Sequence, residues 1–414
     1  METSDESRLL SLPMELLTRI TNMLNDESLP TLRLTCKTLE GATFDRFAKT
    51  FSTTYCCVYY NSRWLSLKKC LNGPSRLVRR LGYINFTTNP LERHHYTQMQ
   101  IAPGEEFDDI RAAQKQFDIS EADEDELYEP LYADRQASTA LIHSVLLDLK
   151  MLAPYVPFAF DLADTRIFRD SFEEDGIVFH YDIFLAIAST FCPVGELVLS
   201  RRCLDGMEEF TTHLSTRFLS CTSAMRAFTF KSTDFFDDEF GKSLDEGKLE
   251  FLANILRSAH YLFSLTLELG EYRSLDNSLS ITNTLLSAND LDHVENLCLQ
   301  FMVVSEKDLL KVIASCKTEL TIFNIGGIQL VESDEGWVAI FRSLTTAPKL
   351  DFIRCNCLST KDTAGAASAP NLDFENIKRN EKFKRTHLLL ETRREVTAGL
   401  QDLLKGPLLY TVET

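Results

Sequence analysis

A short apolar motif recurs along this chain of 414 residues. Two residues separate its first and second apolar positions, and one residue separates the second from the third. The copies are Leu81-Ile84-Phe86, Tyr155-Phe158-Phe160, Val194-Leu197-Leu199, Met225-Phe228-Phe230, Leu262-Leu265-Leu267, Val294-Leu297-Leu299 and Leu320-Phe323-Ile325. The middle residues of the last five lie 31, 37, 32 and 26 residues apart. Because 44% of the residues are apolar, the motif also arises by chance. It predicts strands only in combination with the helical patterns that separate its copies.

Helical patterns occupy the intervals between the last five copies and follow the final one. They cover residues 207–221, 249–260, 279–288, 305–316 and 335–345. Ser305 is predicted to cap the fourth of these helices, with Asp308 at its third position. Short strands that alternate with helices at this period are typical of a solenoid of strand–helix repeats. An α/β domain of non-repeating topology is the alternative.

The first 50 residues carry a different pattern. Leu12, Leu16, Ile20 and Leu24 lie four residues apart, and Pro13 suits the first turn of the helix that this spacing predicts. Ser28 is a plausible N-cap for a second helix. Later apolar positions repeat at helical spacing at Leu29, Leu32, Cys36 and Leu39, and again at Phe44, Phe47 and Phe51. The segment therefore predicts three short helices, a unit so small that it needs a neighbour to complete its core.

Residues 8–50 resemble an F-box, the module that docks substrate receptors on the adaptor of SCF (cullin–RING) ubiquitin ligases. The opening block is Leu12-Pro13 with Glu15-Leu16-Leu17, and the second block is Leu32-Arg33-Leu34-Thr35-Cys36-Lys37. Two positions depart from the family pattern: Leu39 stands where many members carry Trp, and Pro30 where most carry a helix former. The alternative is a generic helical cap on the end of a larger core.

The resemblance implies an adaptor-binding site on this segment. Its expected residues are Leu12, Pro13, Leu16, Ile20, Leu32 and Leu34. Periodicity does not separate the residues that face an adaptor from those that hold the three helices together.

The strand–helix body resembles the irregular leucine-rich repeats that often follow an F-box. The resemblance implies a mixed α/β or α+β chain, a three-helix F-box followed by a solenoid. One feature departs from it. The regular repeat places Asn or Cys three residues after the last apolar position, where the final five copies have Arg202, Thr233, Gly270, Met302 and Ile328.

Four segments are predicted on this basis: the helical module 1–50, the repeat-like domain 51–360, a linker at 361–371, and a helical tail at 372–414. Residues 104–129 form an acidic insertion in the second segment, with eleven acidic residues and two basic ones. A solvated loop or helix is expected there, and a contact for a basic partner is the alternative. The helical pattern of the tail covers 373–405 and contains the basic cluster Lys378, Arg379, Lys382, Lys384 and Arg385.

Charge and cysteine content restrict the compartment and the partners. A net charge of −18 argues against binding to nucleic acid or to an anionic membrane. The apolar stretches are too short to span a bilayer, and the first residues do not resemble a signal peptide. We expect a cytoplasmic or nuclear protein, with reduced thiols among apolar neighbours at Cys36, Cys192, Cys221, Cys298 and Cys316.

The sequence lacks the common motifs of nucleotide-binding, hydrolase and metalloprotease sites. There is no GxxxxGK[ST], GxGxxG, GxSxG or HExxH motif, and the cysteines form no CxxC pairs. The acidic runs 173–175 and 237–239 leave a metal-dependent hydrolase as a distant alternative. The sequence therefore predicts no catalytic, cofactor or metal site.

The resemblance implies a non-catalytic substrate receptor of a ubiquitin ligase. It would bind the SCF adaptor, and through it the cullin, and hold a target protein on its repeat-like domain. The alternative is a protein-interaction scaffold outside any ligase, with an F-box-like helical cap.

Overall fold

The structure is a computed structural model. It describes residues 12–21, 23–24, 28, 32, 35–50, 53–57, 61–72, 83–87, 135–152, 158–162, 173–204, 212–232, 244–270, 275–332, 335–360, 371–373, 383–384, 387–405 and 409–411. The chain divides into two compact units, Met1–Ala159 and Phe160–Thr414. The acidic insertion lies outside the described residues, as does the linker except for its last residue, Asn371. The bounds of the four predicted segments remain predictions.

The described elements of unit 1 are four helices and two parallel strands. In chain order these are α1 (Met14–Thr21), α2 (Lys37–Thr50), β1 (Thr53–Cys57), α3 (Asn61–Leu71), β2 (Tyr83–Thr87) and α4 (Arg135–Leu152). Strand β3 (Phe158–Asp161) crosses the division between the units. Of the three helices predicted at the N-terminus, α1 and α2 are described, and the middle one falls mostly outside the described residues.

The strands of unit 1 belong to a β–α–β unit formed by β1, α3 and β2. Strands β1 and β2 pair in parallel, from Thr53↔Tyr83 to Cys57↔Thr87, and α3 connects them. Trp64 of α3 is fully buried and stacks on Phe86 of β2, with ring centroids 5.1 Å apart. Ile84 and Phe86, the motif positions of β2, are likewise fully buried. The early copy of the motif therefore lies on a strand, as predicted.

Unit 2 continues with six strands and the helices between them. In chain order these are α5 (Glu173–Thr190), β4 (Val194–Ser200), α6 (Thr212–Cys221), β5 (Ala227–Lys231), α7 (Glu246–Ser258), β6 (Ser264–Glu268), α8 (Leu275–Leu286), β7 (Asn296–Ser305), α9 (Glu306–Cys316), β8 (Ile322–Val331), α10 (Trp337–Leu344) and β9 (Phe352–Asn356). The five helices predicted between residues 207 and 345 each have a described counterpart in α6 to α10, with ends shifted by a few residues. Residues 207–211 of the first lie outside the described part of the chain.

The six strands β4–β9 follow one another across the sheet in sequence order, and each pair is parallel. Consecutive helices from α5 to α10 pack against one another. Since a helix on the opposite face would interrupt that series, the helices form one layer over one face of the sheet. The fold of this unit is α/β with a mostly parallel sheet.

The register aligns the motif positions of neighbouring strands. Two rows run across the sheet and are buried throughout: Leu197, Phe228, Leu265, Leu297, Phe323 and Ile353, and next to them Leu199, Phe230, Leu267, Leu299, Ile325 and Cys355. Strand β9 thus adds one more copy, Leu350-Ile353-Cys355, which the sequence analysis missed. Each apolar side chain in these rows contributes about 1.5–3 kcal/mol by burial.

Strands β7 and β8 are ten residues long and bend at one place. Their pairing runs to Gln300↔Gly326 and resumes at Met302↔Ile328. The skipped residues, Phe301 and Gly327, have φ of 50° and 60°. Beyond this bend β8 leaves β9 and pairs with β10 (Ser359–Thr360).

The C-terminal region corrects one prediction. Within 373–405 the described residues contain one helix, α11 (Arg393–Leu403). The described residues before it form strands: β11 (Asn371–Asp373), β12 (Phe383–Lys384) and β13 (His387–Leu390), with β14 (Leu409–Thr411) after the helix. Strand β13 pairs antiparallel with β9 and buries Leu388 and Leu390. Residues 387–390 therefore form a strand where a helix was predicted. The sequence pattern did not indicate this, because the partner strand β9 is distant in the chain.

Candidate docking surfaces

Helix α1 packs one side against α2. Leu17 and Thr21 of α1 are each 1% exposed and lie against a cluster with Leu39 and Ala42 of α2. The Thr21 hydroxyl donates to the carbonyl of Thr18 at 3.0 Å. Three half-buried residues pack on the same cluster: Leu12, Leu32 and Cys36. This cluster holds the helical pair together.

A second side of α1, about 100° round the helix from Leu17 and Thr21, exposes apolar residues. Leu16 is 44% exposed and Ile20 is 40% exposed, and their i, i+4 spacing places both on one face of the helix. Pro13 before the helix and Met23 after it are also exposed. We call Pro13, Leu16, Ile20 and Met23 the α1 stripe.

The structure divides the expected adaptor-binding residues into two groups. Pro13, Leu16 and Ile20 are on the exposed stripe, whereas Leu12 and Leu32 help to hold α1 on α2. Leu34 lies outside the described residues. Met23 belongs to the stripe and was not predicted, although its spacing of three residues from Ile20 was visible in the sequence.

The second candidate surface is the face of the unit 2 sheet that lies opposite the buried motif rows. Its side chains are half-buried or exposed. Two rows cross it, Glu196, Ala227, Ser264, Asn296, Ile322 and Phe352, and then Val198, Thr229, Thr266, Cys298, Asn324 and Arg354. We call these two rows the sheet face.

The sheet face is mostly uncharged. Its centre holds Cys298, whose sulfur accepts hydrogen bonds from the side-chain amides of Gln300 and Asn324, both at 3.4 Å. Burial raises the pKa of the Cys298 thiol, which keeps the group neutral. Arg354 at one end is exposed, and Ile322 beside it is 39% exposed. Small polar side chains flanked by an apolar one suit contact with a protein surface.

The chemistry-bearing side chains that sequence analysis singled out are scattered. The acidic run 173–175 begins α5, while 237–239 falls outside the described residues. Among the residues that the structure describes, no group of three His, Cys, Asp or Glu side chains is placed to hold a metal ion. Burial raises the pKa of the Cys316 thiol to about 12, so that sulfur is not a thiolate at neutral pH.

No helix in the described part of the chain is long and apolar enough to cross a membrane. No protein-family model matches the chain, and no curated protein matches it. The two docking surfaces therefore rest on their own geometry and on the resemblance of residues 8–50.

Proposed function

We propose that this protein is a substrate receptor of an SCF-type ubiquitin ligase. The α1 stripe would dock in an apolar groove of the adaptor, and the adaptor would link the chain to a cullin. The receptor would supply no chemistry of its own. Such a receptor acts in the cytoplasm or the nucleus.

The exposed side of α1 is the observation that carries the proposal. An amphipathic helix normally turns its apolar residues inward. Here Leu17 and Thr21 take the inward positions, while Leu16 and Ile20 stay exposed at 44% and 40%. Apolar residues at i and i+4 on an exposed helix are the anchors of helix-in-groove recognition. The resemblance to an F-box names the groove, which would be that of the SCF adaptor.

Unit 2 would hold the target protein. Its consecutive parallel strands, its single helix layer and its period of 26–37 residues resemble a solenoid of irregular leucine-rich repeats. The sheet face would then be available to a target. Holding target and charged ubiquitin carrier together raises their effective concentration, and this proximity is the receptor's whole contribution to the reaction.

Co-purification with the SCF adaptor tests the proposal. The variant Leu16→Ala with Ile20→Ala removes two anchors that lie outside the cluster of Leu17, Leu39 and Ala42, so we expect a folded chain with adaptor affinity lowered at least about tenfold. A matched control exists on α4, where Leu147 and Met151 have the same spacing and are 43% and 73% exposed. The variant Leu147→Ala with Met151→Ala should bind the adaptor normally.

A third variant separates docking from folding. Leu17→Ala opens a cavity in the α1–α2 cluster and should weaken both the helical unit and adaptor capture. The double variant on the α1 stripe should weaken capture alone. If the wild-type chain is folded and does not capture the adaptor, the proposal is wrong, and the scaffold alternative takes its place.

A further inference from the structure

The turns that lead from helices into strands β4, β5, β6 and β7 expose an unusual set of side chains. Three aromatic residues are far from buried: Phe191 is 46% exposed, Tyr261 is 58% and Phe263 is 37%. Cationic or potentially cationic residues lie beside them. We call the set the aromatic–arginine ridge; its members are Phe191, Arg217, Arg226, Tyr261, Phe263 and His293.

The first pair joins α5 to α6. Phe191 directly follows the last residue of α5 and has φ of 53°, a conformation that Gly adopts easily and a bulky residue seldom does. The Arg217 guanidinium of α6 lies 5.2 Å from the centre of the Phe191 ring. This cation–π contact holds both an aromatic face and a positive charge at the turn before β4.

The second pair, Arg226 and Phe263, lies just before two adjacent strands. The carbonyl of Arg226, just before β5, accepts a 2.8 Å hydrogen bond from the backbone N–H of Phe263, just before β6. Arg226 is exposed, and within the described part of unit 2 no carboxylate forms an ion pair with it. Among the described residues, no carboxylate therefore neutralises its guanidinium.

The third pair extends the ridge to β7. Tyr261 and His293 stack with ring centroids 6.3 Å apart and an angle of 16° between their planes. Leu262 is 2% exposed, so it anchors the turn in the core while its neighbours Tyr261 and Phe263 remain at the surface. Because Leu262 holds the turn in place, the two rings are already ordered before a ligand binds. Less conformational entropy is then lost on binding.

The ridge differs in charge from the rest of the molecule. The chain has a net charge of −18, yet the turns 191–193, 222–226 and 259–263 contain no Asp or Glu and do contain Arg226 and His260. The fourth turn, which carries His293, holds Asp290, Asp292 and Glu295. Asp292 lies 3.8 Å from His293, and the backbone N–H of Glu295 donates to the carbonyl of Phe263. Because the net charge of the chain repels an acidic ligand at long range, attraction at the ridge comes from the local positive charges of Arg226 and Arg217.

We infer that the aromatic–arginine ridge binds an acidic protein segment that also carries apolar side chains. Carboxylates of the segment pair with Arg226 and Arg217, and its apolar side chains pack on Phe191, Tyr261 and Phe263. Aromatic residues and arginine are the types that dominate protein-binding hot spots. Nucleic acid fits less well, because two arginines neutralise few phosphates and the net charge repels the rest.

This inference does not rest on the proposed ligase function, since it concerns a surface of unit 2 alone and makes no use of the α1 stripe. The experiment therefore uses the full chain without any adaptor. Random peptides displayed on phage are selected against the immobilised chain, and the selected peptides are synthesised, together with forms in which Asn and Gln replace Asp and Glu.

The variants are Arg226→Glu, and Tyr261→Ala with Phe263→Ala. Lys317→Glu is the matched control, because it makes the same change of charge at an exposed position in the turn that precedes β8. Circular dichroism establishes that each variant is folded. Binding is measured by fluorescence anisotropy at several salt concentrations.

We expect a selected pool enriched in Asp and Glu beside aliphatic or aromatic residues. Affinity should fall at least about tenfold in the Arg226→Glu chain and in the double aromatic variant, and stay unchanged in Lys317→Glu. The amide forms of the peptides should bind weakly. A pool without acidic enrichment, or equal binding by Arg226→Glu, overturns the inference. Binding of single-stranded oligonucleotides in preference to the peptides overturns it as well.

Discussion

The carboxylate of Glu306 accepts a 2.7 Å hydrogen bond from the backbone N–H of Gly336, the residue that caps the N-terminus of α10. The same oxygen accepts a second hydrogen bond from the backbone N–H of Glu335, at 3.1 Å. Gly336 has no side chain that could accept these hydrogen bonds, so the carboxylate of Glu306 accepts them instead. Glu306 is itself the first residue of α9. One buried carboxylate therefore joins the starts of two successive helices.

Replacing Glu306 should destabilise this junction. Glu306→Ala leaves the buried N–H of Gly336 and the half-buried N–H of Glu335 without their acceptor, and we expect a loss of about 2–3 kcal/mol in the free energy of unfolding. Glu306→Gln keeps an oxygen acceptor and should cost about 1 kcal/mol. Urea unfolding measures the loss, and hydrogen exchange should quicken at residues 335–344. The exposed neighbour Lys307→Ala is the control, and an equal loss there would contradict the capping role.

The bend in β7 and β8 leads to a prediction about Gly327. Its φ is 60°, and a Cβ at this position would lie 2.6 Å from Cδ1 of Phe301. Gly327→Ala should therefore cost about 2 kcal/mol or more, from the left-handed backbone and from the clash. Gly247→Ala, in the first turn of α7 and with an ordinary contact at 3.4 Å, should be neutral or slightly stabilising.

A double-mutant cycle separates the two causes at Gly327. Phe301→Gly removes the ring and relieves the φ of 50° at that residue. In this background Gly327→Ala should cost less than in the wild-type chain, because only the backbone term remains. Thermal unfolding of the four chains gives the coupling. If the cost is the same in both backgrounds, the contact between these residues does not matter.

Much of unit 2 could be predicted from the sequence, because its pattern is local. The apolar motif predicted which residues of each strand face inward. The capping pattern at Ser305 was also correct, because its side chain accepts a 3.1 Å hydrogen bond from the backbone N–H of Asp308. The missed copy Leu350-Ile353-Cys355 has the same spacing, with cysteine in the last position. Cysteine is as readily buried as leucine, so a motif that admits it would have found β9.

The docking surfaces could be predicted only in part. Periodicity placed Leu16 and Ile20 on one stripe, yet the position of α2 decided that Leu17 faces inward and the stripe outward. Tyr261 and His293 are 32 residues apart in the chain and stack because two turns become neighbours across the sheet. Strand β13 was mistaken for helix for the same reason, since its partner is β9. Pairings between distant segments leave no local pattern.

Two neighbouring cysteines should differ in reactivity. Cys355 is fully buried in β9, and burial raises the pKa of its thiol, whereas Cys357 is exposed just after the strand. An alkylating reagent should therefore modify Cys357 in the native chain and reach Cys355 only after unfolding. Mass spectrometry of the digested protein, with and without urea, measures both. Rapid native labelling of Cys355 would contradict its burial.

His180 should make stability depend on pH. It is 2% exposed on α5, and burial lowers its pKa from 6.5 to about 4. The unfolded chain then binds a proton near pH 6.5, while the folded chain resists protonation until about pH 4. Above pH 6.5 the histidine is neutral in both states and costs nothing through protonation. As the pH decreases from 6.5 to 4 the folded chain loses about 3 kcal/mol of stability to the unfolded one.

The variant His180→Gln isolates this effect from the titration of carboxylates. It stays neutral, so whatever stability it loses should be the same at every pH. The difference in the free energy of unfolding between wild type and His180→Gln should shrink, or reverse in favour of the variant, as the pH falls from 6.5 to 4. Urea unfolding at several pH values measures it. A difference that stays constant would show that His180 becomes protonated in the folded chain as readily as in the unfolded one.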